Sequence, residues 1–262
     1  MRGIVSGGSD YYLKPNSSEA EGPFSLGGQF ELTPTGFKLT GAGFNDADYP
    51  NGDTYIYIAI RRGPMKTPES GTEVFAMDTS GATAPTPPAF NSGFPVDMAF
   101  YKQTDGSSGF VSSRLTSNAW MALELTQAET ANAGFTFDFQ DGWRNNTQIA
   151  AYRYSWMFRR APGFFDVVCP NGDSSGNLSF THNLGVSPEL VILKSRTGTF
   201  SWYVYCSALS QPTKTYGILD STFALTPTAS TYFSATSTTF QTFTGGWVAN
   251  NGASVAYLFA SC

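Results

Sequence analysis

The sequence repeats an apolar strand and an arginine pair at an interval of domain size. YIYIAIRRGPM, Tyr55–Met65, returns as YSWMFRRAPGFF, Tyr154–Phe165, and in a shorter form as VAYLFASC, Val255–Cys262. Arg61 and Arg159 are 98 positions apart. A repeat of roughly 100 residues has the size of a small domain, so the sequence predicts tandem modules.

A second strand precedes the repeated one in each copy. Its apolar residues alternate with polar ones, and it comes 23, 23 and 19 positions earlier (Phe37 and Ile60, Phe135 and Phe158, Phe240 and Phe259). The turn between the two strands is rich in Gly, Asn or Asp, which is typical of a β-hairpin. We therefore expect Phe135 to match Phe240 and Phe158 to match Phe259. GFPVDMAFYK likewise matches GVSPELVILK, which equates Lys102 with Lys194.

The composition favours short strands over helices. The chain has 27 Gly, 15 Pro and 15% aromatic residues, and only 13% of its residues are charged, about half the usual share. This mixture predicts an all-β protein of tandem small antiparallel β-sandwich modules of roughly 90–100 residues. The predicted segments are the C-terminal half of a module at 1–64, a second module at 65–162 and a third at 163–262. The strands predicted for the third are FFDVV, NLSFTH, ELVILKS, SWYVYCS, TYGILD, TTFQTF and SVAYLFA.

The arginine pair and its following proline mark the exit from each module. The next module begins at once, so the modules are expected to be strung along a line like beads. The first copy lacks the opening strands, and half a sandwich has unpaired strand edges and an open core face. Either the natural chain starts earlier or another subunit supplies the missing strands. We favour the first, which makes the sequence a fragment of a longer protein.

Charge and cysteine content argue against several function classes. The net charge is −5 and the pI is near 4.8, so the chain lacks the positively charged surface expected of a nucleic-acid-binding protein. No apolar run approaches the ~20 residues of a membrane span, so no membrane insertion is expected. Cys169, Cys206 and Cys262 form no C-x-x-C pair, which leaves no support for a zinc or redox site. They are expected to be buried thiols, and no cofactor or metal is predicted.

Catalytic side chains do not form a recognisable constellation. His182 is the only histidine, and no G-x-S-x-G elbow surrounds a serine. Paired carboxylates for glycoside hydrolysis need a shared cleft, whereas the candidates are scattered over strands and turns (Glu124, Glu129, Asp138, Asp141). The chain is therefore not expected to be an enzyme.

One acidic turn resembles a calcium loop. GFNDADYPNGD offers Asp46, Asp48 and Asp53 as oxygen ligands, but its glycine and glutamate spacing is not that of an EF-hand. The matching turns of the other copies, GWRNNT and GWVANNG, contain no acids. A hairpin turn is the favoured interpretation, and calcium binding remains the alternative.

Aromatic side chains give the remaining signal for a binding surface. Trp202, Tyr203 and Tyr205 fall in one strand, so the two tyrosines share a face and Trp202 points the other way. One face is core, and the other is predicted either to pack against a partner subunit or to stack on sugars. Trp143 and Trp247 are placed at equivalent hairpin turns of the second and third copies, where packing of each ring on its own hairpin is favoured over a receptor contact. These five residues are the candidate surface or partner contacts.

Several of these segments carry a resemblance to a known group of proteins. WMFRRAPGFFDVVCPNG, HNLGVSPELVILKSRTG, SWYVYCSAL and GASVAYLFA resemble the tandem β-modules of tailed-bacteriophage virion proteins, in particular tail-fibre-like proteins of marine and cyanobacterial phages. YIYIAIRRGPMKTPESGTEVFA resembles the module junction of the same proteins. In such relatives more sequence, often lectin-like, precedes the point where this chain begins.

The resemblance implies a structural protein of the virion, and it implies that the virion is assembled in the host cytoplasm. It implies a tail-fibre or tail-tip component that contributes to host attachment, and it transfers no catalytic motif. A head-decoration or capsid-spike protein and a free carbohydrate-binding module remain alternatives. The expected partners are further copies of the chain in a homotrimer, other virion proteins, and a host cell-surface glycan or protein. Few charges and many aromatic strand residues favour such self-association, because soluble monomers avoid exposed apolar patches.

Overall fold

A computed structural model of the protein describes most of residues 66–260. Within that range it leaves out 81–87, 105, 107, 117, 133, 146–152, 209–215 and 223–230, and before it only 11–12, 18, 22–23, 29–33 and 36–40 are described. The chain divides into two compact units, Met1–Pro64 and Met65–Cys262.

The described residues of the first unit form two antiparallel strand pairs. Strand β1 (Tyr11–Tyr12) pairs with β2 (Gly22–Pro23), and β3 (Gln29–Thr33) pairs with β4 (Gly36–Thr40). The sequence predicted a partner for β4 near Tyr55–Ile60, a segment outside the described residues. The predicted incomplete first module also lies largely outside them.

The second unit is built from short antiparallel strands. In its first part these are β5 (Phe75–Ser80), β6 (Phe90–Asn91), β7 (Met98–Gln103), β8 (Phe110–Ser113), β9 (Ala119–Ala122), β10 (Thr130–Ala131), β11 (Phe135–Thr136), β12 (Gly142–Asn145) and β13 (Arg153–Phe158). In its second part they are β14 (Phe165–Val168), β15 (Ser179–Thr181), β16 (Leu190–Ser195), β17 (Tyr203–Cys206), β18 (Gly217–Ile218), β19 (Phe233–Ala235), β20 (Thr239–Thr242) and β21 (Ser254–Phe259). The described residues include no α-helix, only two 3-10 turns at Gly71–Glu73 and Arg114–Thr116. The predicted all-β, antiparallel fold is confirmed.

Each part of the second unit consists of one large and one small sheet. In the second module the strand orders are β10-β9-β8-β7-β13-β5 and β11-β12-β6. In the third module they are β14-β21-β16-β17-β18 and β15-β20-β19. Within each module, buried apolar side chains fill the space between the two sheets. Trp143 stands at the centre of the first of these cores, and Phe240 of the second.

The registers of the strands equate positions of the two modules. Phe158 pairs with Phe75 and Met98, and Phe259 pairs with Phe165 and Leu190. The predicted match of Phe158 with Phe259 is therefore correct. The same register places Lys102 and Lys194 at equivalent positions, four residues beyond Met98 and Leu190.

The small sheets overturn the second predicted match. Trp143 pairs with Phe90 as Phe240 pairs with Phe180, and Phe135 lies on the outer strand β11, as Phe233 does on β19. Trp143, not Phe135, is thus the counterpart of Phe240. The spacing of 23 and 19 positions was misleading because the loops before the last strand differ in length between the modules.

The predicted hairpins into β13 and β21 are also wrong. Strands β12 and β20 belong to the small sheets, whereas the strands that follow them belong to the large sheets. The loops between them therefore cross from one layer of the sandwich to the other. Alternation of apolar residues predicts a strand correctly in each case, but it does not specify the sheet that the strand joins.

The two modules pack against each other through their large sheets. A third core lies between them, formed by Met98, Val111 and Met121 from the second module together with residues of the third (Phe165, Val167, Trp202, Val255, Tyr257). The order of layers is therefore small sheet, large sheet, large sheet, small sheet. The expectation of separate beads is wrong, because the modules share buried apolar surface instead of meeting only at their linker.

Strand β21 shows why its sequence is apolar at consecutive positions. Ala256 and Leu258 face the core of the third module, while Val255 and Tyr257 face the core between the modules. All four side chains are buried. A strand covered on both faces needs apolar residues at every position instead of at every second one.

Candidate functional site

The three tryptophans predicted as contact residues are buried inside the chain. Trp143 stacks between Phe90 and Phe137 in the second module, with ring centroids 5.2 and 5.4 Å away. Trp202 lies in the core between the modules, and Trp247 is buried in the core of the third module. The prediction that they form surface contacts is wrong. An indole ring has a large apolar area, and burying it away from water stabilises the fold.

Trp202 does make a partner contact, but its partner is the preceding module. Its indole Nε1 donates to the carbonyl oxygens of Ala122 at 3.0 Å and Leu125 at 3.2 Å. Its backbone N–H donates to the carboxylate of Asp220 at 2.9 Å. The residue therefore helps to hold the two large sheets together.

Tyr203 and Tyr205 lie on the opposite face from Trp202, as the alternation predicted. Both are half-buried and pack at the margin of the third module's core, where their rings meet others edge to face. Tyr203 contacts Trp247 at 5.1 Å between ring centroids, and Tyr205 contacts Phe233 and Phe240 at 5.5 Å. Burial raises the pKa of both phenols. Their rings are engaged in packing, which favours the core interpretation over a sugar platform.

Trp143 and Trp247 are not equivalent residues. Trp143 is a strand residue of β12, whereas Trp247 follows β20 by five positions and lies in a loop. Their indole N–H groups also have different acceptors, the hydroxyl of Ser155 and the carbonyl of Phe243. Both segments contain the dipeptide Gly-Trp, and this led to the wrong equivalence between the two residues.

A polar cleft opens on the outer side of the third module's small sheet. It has a volume of about 350 Å³ and is lined mainly by polar side chains and one aromatic ring (Asn171, Asp173, Asn177, Ser179, Gln241, Phe243). We call it the outer cleft. Phe243 is 38% exposed at its rim. Gln241 donates to the Ser179 hydroxyl across neighbouring strands at 3.1 Å.

Asp173 is the fixed charge of the outer cleft. Its Oδ1 accepts the backbone N–H groups of Asn177 at 2.9 Å and Ser175 at 2.7 Å. These bonds lower the pKa of its carboxyl group, that from Asn177 most strongly, so the group is ionised at neutral pH. Gly176 closes the turn with φ of +72°, and a Cβ there would collide with the carbonyl oxygen of Val248. The turn thus holds one carboxylate in a defined position at the surface.

The outer cleft combines hydrogen-bonding groups with an exposed aromatic ring. An ionised carboxylate accepts hydrogen bonds from hydroxyl groups, and neighbouring amides donate and accept. The negative face of an exposed aromatic ring attracts polarised C–H groups. Sequence analysis did not single out these residues. The available signal was the run NGDSSGN, Asn171–Asn177, in which polar residues and glycines cluster between two strands.

Charged groups also cluster at the contact between the modules. Arg196 forms a two-pronged bond with Glu129, its Nε and Nη2 lying 2.7 and 2.9 Å from the carboxylate oxygens. Lys194 is buried and its Nζ donates to the carbonyl oxygens of Thr126, at 2.8 Å, and Phe200. Desolvation lowers the pKa of Lys194 to about 8, partly opposed by Asp220. These groups have structural partners, which accounts for their positions without a ligand.

The second arginine of the repeated pair joins the modules at their linker. The Arg160 backbone N–H donates to Asp97 of the second module at 2.8 Å. Its guanidinium Nε donates to Asp166 of the third module, which is buried. The repeated Arg-Arg-Ala-Pro segment is therefore a junction that fixes two domains, and not only a strand exit.

The candidate catalytic and metal residues do not converge. His182 Nδ1 lies 3.4 Å from the backbone N–H of Leu184, its Nε2 faces the carbonyl of Thr236 at 3.2 Å, and burial lowers its pKa. Glu124 accepts from the backbone of Gly109, while Glu129 is paired with Arg196. No group of three or more metal-ligating side chains occurs among the described residues, and no helix among them is long and apolar enough to span a membrane. Asp46, Asp48 and Asp53 lie outside the described residues.

Comparison with known proteins gives one match. Residues 155–262 match a family described as Domain of unknown function (DUF7483). The match covers the third module and begins inside β13 of the second, so it includes the arginine junction. No curated protein and no solved structure matches the chain.

Proposed function

We propose that this chain is a structural protein of a tailed-phage virion, a tail-fibre or tail-tip component that contributes to host attachment. The observation that carries the proposal is the fusion of two sandwich modules into one four-layer body. Trp202, Lys194 and Arg196 of the third module also form hydrogen bonds with the second module, next to the core that the two modules share. The resemblance of the junction and strand segments to phage tail-fibre-like proteins supports the same assignment.

A fused pair of modules suits a protein that bears load or displays a binding surface. Hinged domains with small polar contacts move relative to each other, whereas a large apolar interface prevents such motion. The outer cleft lies on the small sheet of the third module, on the side away from the second module. A ligand held there would be presented on a rigid support.

The outer cleft favours carbohydrate as the ligand. Its volume is at the lower end of the range of small-molecule sites, and it combines a fixed carboxylate, amide groups and an exposed ring. Asp173 and Gln241 would hold the hydroxyl groups of a surface glycan, with Phe243 against one face of the sugar. This observation also supports the second candidate, a free carbohydrate-binding module.

Electron microscopy of phage particles labelled with an antibody to this chain tests the virion assignment. Label on fibres or the tail tip is the expected result. Label on the capsid would replace the proposal with a head-decoration or spike protein. Particles without label would refute virion membership and leave the free binding module.

A glycan array tests the cleft separately. We expect the wild-type chain to bind a subset of surface glycans, and Phe243→Ala to bind at least tenfold more weakly, because a loss of about 1.4 kcal/mol corresponds to a factor of ten. Val186→Ala is the matched control, since it also removes an exposed apolar side chain of the third module. Equal binding by all three proteins would exclude this cleft as the glycan site.

A further inference from the structure

The two modules contact each other through different halves of their large sheets. The third module contributes the half formed by β14 and β21, where Phe165, Val167 and Val255 are fully buried. The second module contributes the half formed by β7, β8 and β9, through Met98 and Val111 among others. The contact is therefore head to tail between two modules of the same design.

No described residue covers the corresponding half of the second module. Strand register equates Phe75 with Phe165, Met77 with Val167 and Tyr154 with Val255. Phe75, Met77 and Tyr154 are 39%, 59% and 42% exposed, whereas their counterparts are at most 1% exposed. We call these three residues the open strip. Apolar side chains at positions that the sister module buries mark a surface designed to be covered.

The third module leaves its complementary half incompletely covered. Leu190 and Leu219 are the counterparts of Met98 and Leu123, which lie in or against the core between the modules, whereas Ile192, the counterpart of Phe100, itself packs against that core. Leu190 is half-buried, and Leu219 is 58% exposed. We call Leu190 and Leu219 the end strip. It lies on the side of the sheet that carries Trp202, because Leu219 stands opposite Trp202 and donates its backbone N–H to that residue's carbonyl oxygen at 3.0 Å.

We propose that the open strip of one chain binds the end strip of a second copy. The contact would repeat, between chains, the packing that already joins the two modules within a chain. The open strip is continuous with that packing, since the ring of Phe75 lies 5.1 Å from that of Phe158, which borders the shared core. A second copy presents the matching half-sheet, with the same apolar character as the surface that covers Phe165.

A head-to-tail contact of this kind has a definite consequence for assembly. It joins unlike surfaces, so every chain keeps one free strip until a ring closes. A ring of three chains is the assembly expected from the sequence, and an open filament is the alternative product of the same contact. The proposal concerns self-association only, and it holds whether or not the outer cleft binds a glycan.

Sizing by light scattering over a hundredfold concentration range tests the contact on the full chain. We expect the wild type to self-associate, and both Met77→Glu and Leu219→Glu to weaken association at least tenfold. Val186→Glu introduces the same charge at an exposed apolar residue that belongs to neither strip and is expected to leave association unchanged. Met77→Ser, a milder change, should weaken association in the same direction, and circular dichroism verifies that each variant is folded.

Mixing the two strip variants distinguishes this contact from a symmetric one. Met77→Glu keeps an intact end strip and Leu219→Glu keeps an intact open strip, so the mixture should form a 1:1 dimer and stop there. A wild-type chain that stays monomeric at 100 μM, variants that associate as the wild type does, or a mixture that forms no dimer would each overturn the proposal. Equal disruption by Val186→Glu would overturn it as well.

Discussion

Lys194 provides a test of the contact between the modules through the pH dependence of stability. Its ammonium is buried between the large sheets, above the ring of Trp202, and desolvation lowers its pKa from 10.5 to about 8. Between these two pH values the unfolded chain keeps the proton and the folded chain releases it. The free energy of unfolding therefore rises with pH in this window, by about 1.4 kcal/mol per pH unit and about 3 kcal/mol in all.

The measurement is a difference between two proteins across this window. The free energy of unfolding is measured by urea titration for the wild type and for Lys194→Met at intervals from pH 7 to 10.5. The difference between the two proteins cancels the contributions of all other groups that titrate alike in both. The wild type should gain about 3 kcal/mol relative to the variant between pH 8 and 10.5, and it should lose this gain again as the pH falls from 10.5 to 8. At constant pH, Lys194→Met also leaves the carbonyl of Phe200 without this donor, a separate cost of about 1–3 kcal/mol that shifts the whole curve.

Lys102 supplies the matched control. It occupies the equivalent position in the second module, but its side chain is about half exposed. Lys102→Met removes a lysine from the equivalent strand position without removing a buried ammonium, so it separates the effect of burying the charge from that of losing a lysine side chain. A flat difference for Lys194→Met, or one that falls with rising pH, would refute the inference that the sheets bury this charge.

Three further expectations follow from packing and backbone geometry. Met98→Ala should lower the free energy of unfolding by about 2–5 kcal/mol, because it opens a cavity between the modules, while Val186→Ala at an exposed site should change it by less than about 0.5 kcal/mol in the same urea titration. Gly176→Ala should lower the melting temperature more than Gly246→Ala, since both have positive φ but only the first places a Cβ against a carbonyl oxygen; equal shifts would contradict this reading of the turn. Burial raises the pKa of Cys169 to about 11, so peptide mapping after iodoacetamide treatment at pH 8 should find it alkylated far more slowly in the folded than in the denatured chain.

The strands were predictable where one physical signal dominated. Alternation identified β13, in which Arg153, Ser155 and Met157 are buried and the intervening residues are not. Each of the seven segments predicted for the third module contains a strand, but β19 at Phe233–Ala235 was missed. This three-residue strand lies in the run STYFSATS, Ser230–Ser237, whose many serines and threonines give the local sequence the character of a loop.

The arrangement of the sheets was not predictable by the same means. A period of two specifies which side chains share a face, but not the layer that a strand enters, so β11 and β20 were assigned to hairpins with the wrong partners, and β12 was predicted to be a turn. The apolar run of β21 did carry a signal for burial on both faces. Its implication, a second sheet against the outer face, was overlooked because the modules were expected to be independent.

The candidate site was predicted least well. Tryptophan is frequent both in cores and at interfaces, and nothing in the sequence distinguishes the buried Trp202 from an exposed ring. The outer cleft depends on one Asx-type turn and on two strands 62 residues apart that bring Ser179 beside Gln241. Such proximity results from the fold and leaves no local pattern.

The pairing of β14 with β21 also determines the order in which the chain can fold during synthesis. Phe165 meets its partner Phe259 only 94 residues later, so β14 remains an unpaired strand until the last strand of the sheet has emerged from the ribosome. The strands of the second module, by contrast, are all present once Phe158 has been made. The apolar surface of β7–β9 then stays uncovered until the large sheet of the third module has formed. That sheet has a high contact order, and sheets of this type form slowly. During this interval the uncovered apolar surface and the unpaired strand favour aggregation, and a chaperone that covers them would protect the chain.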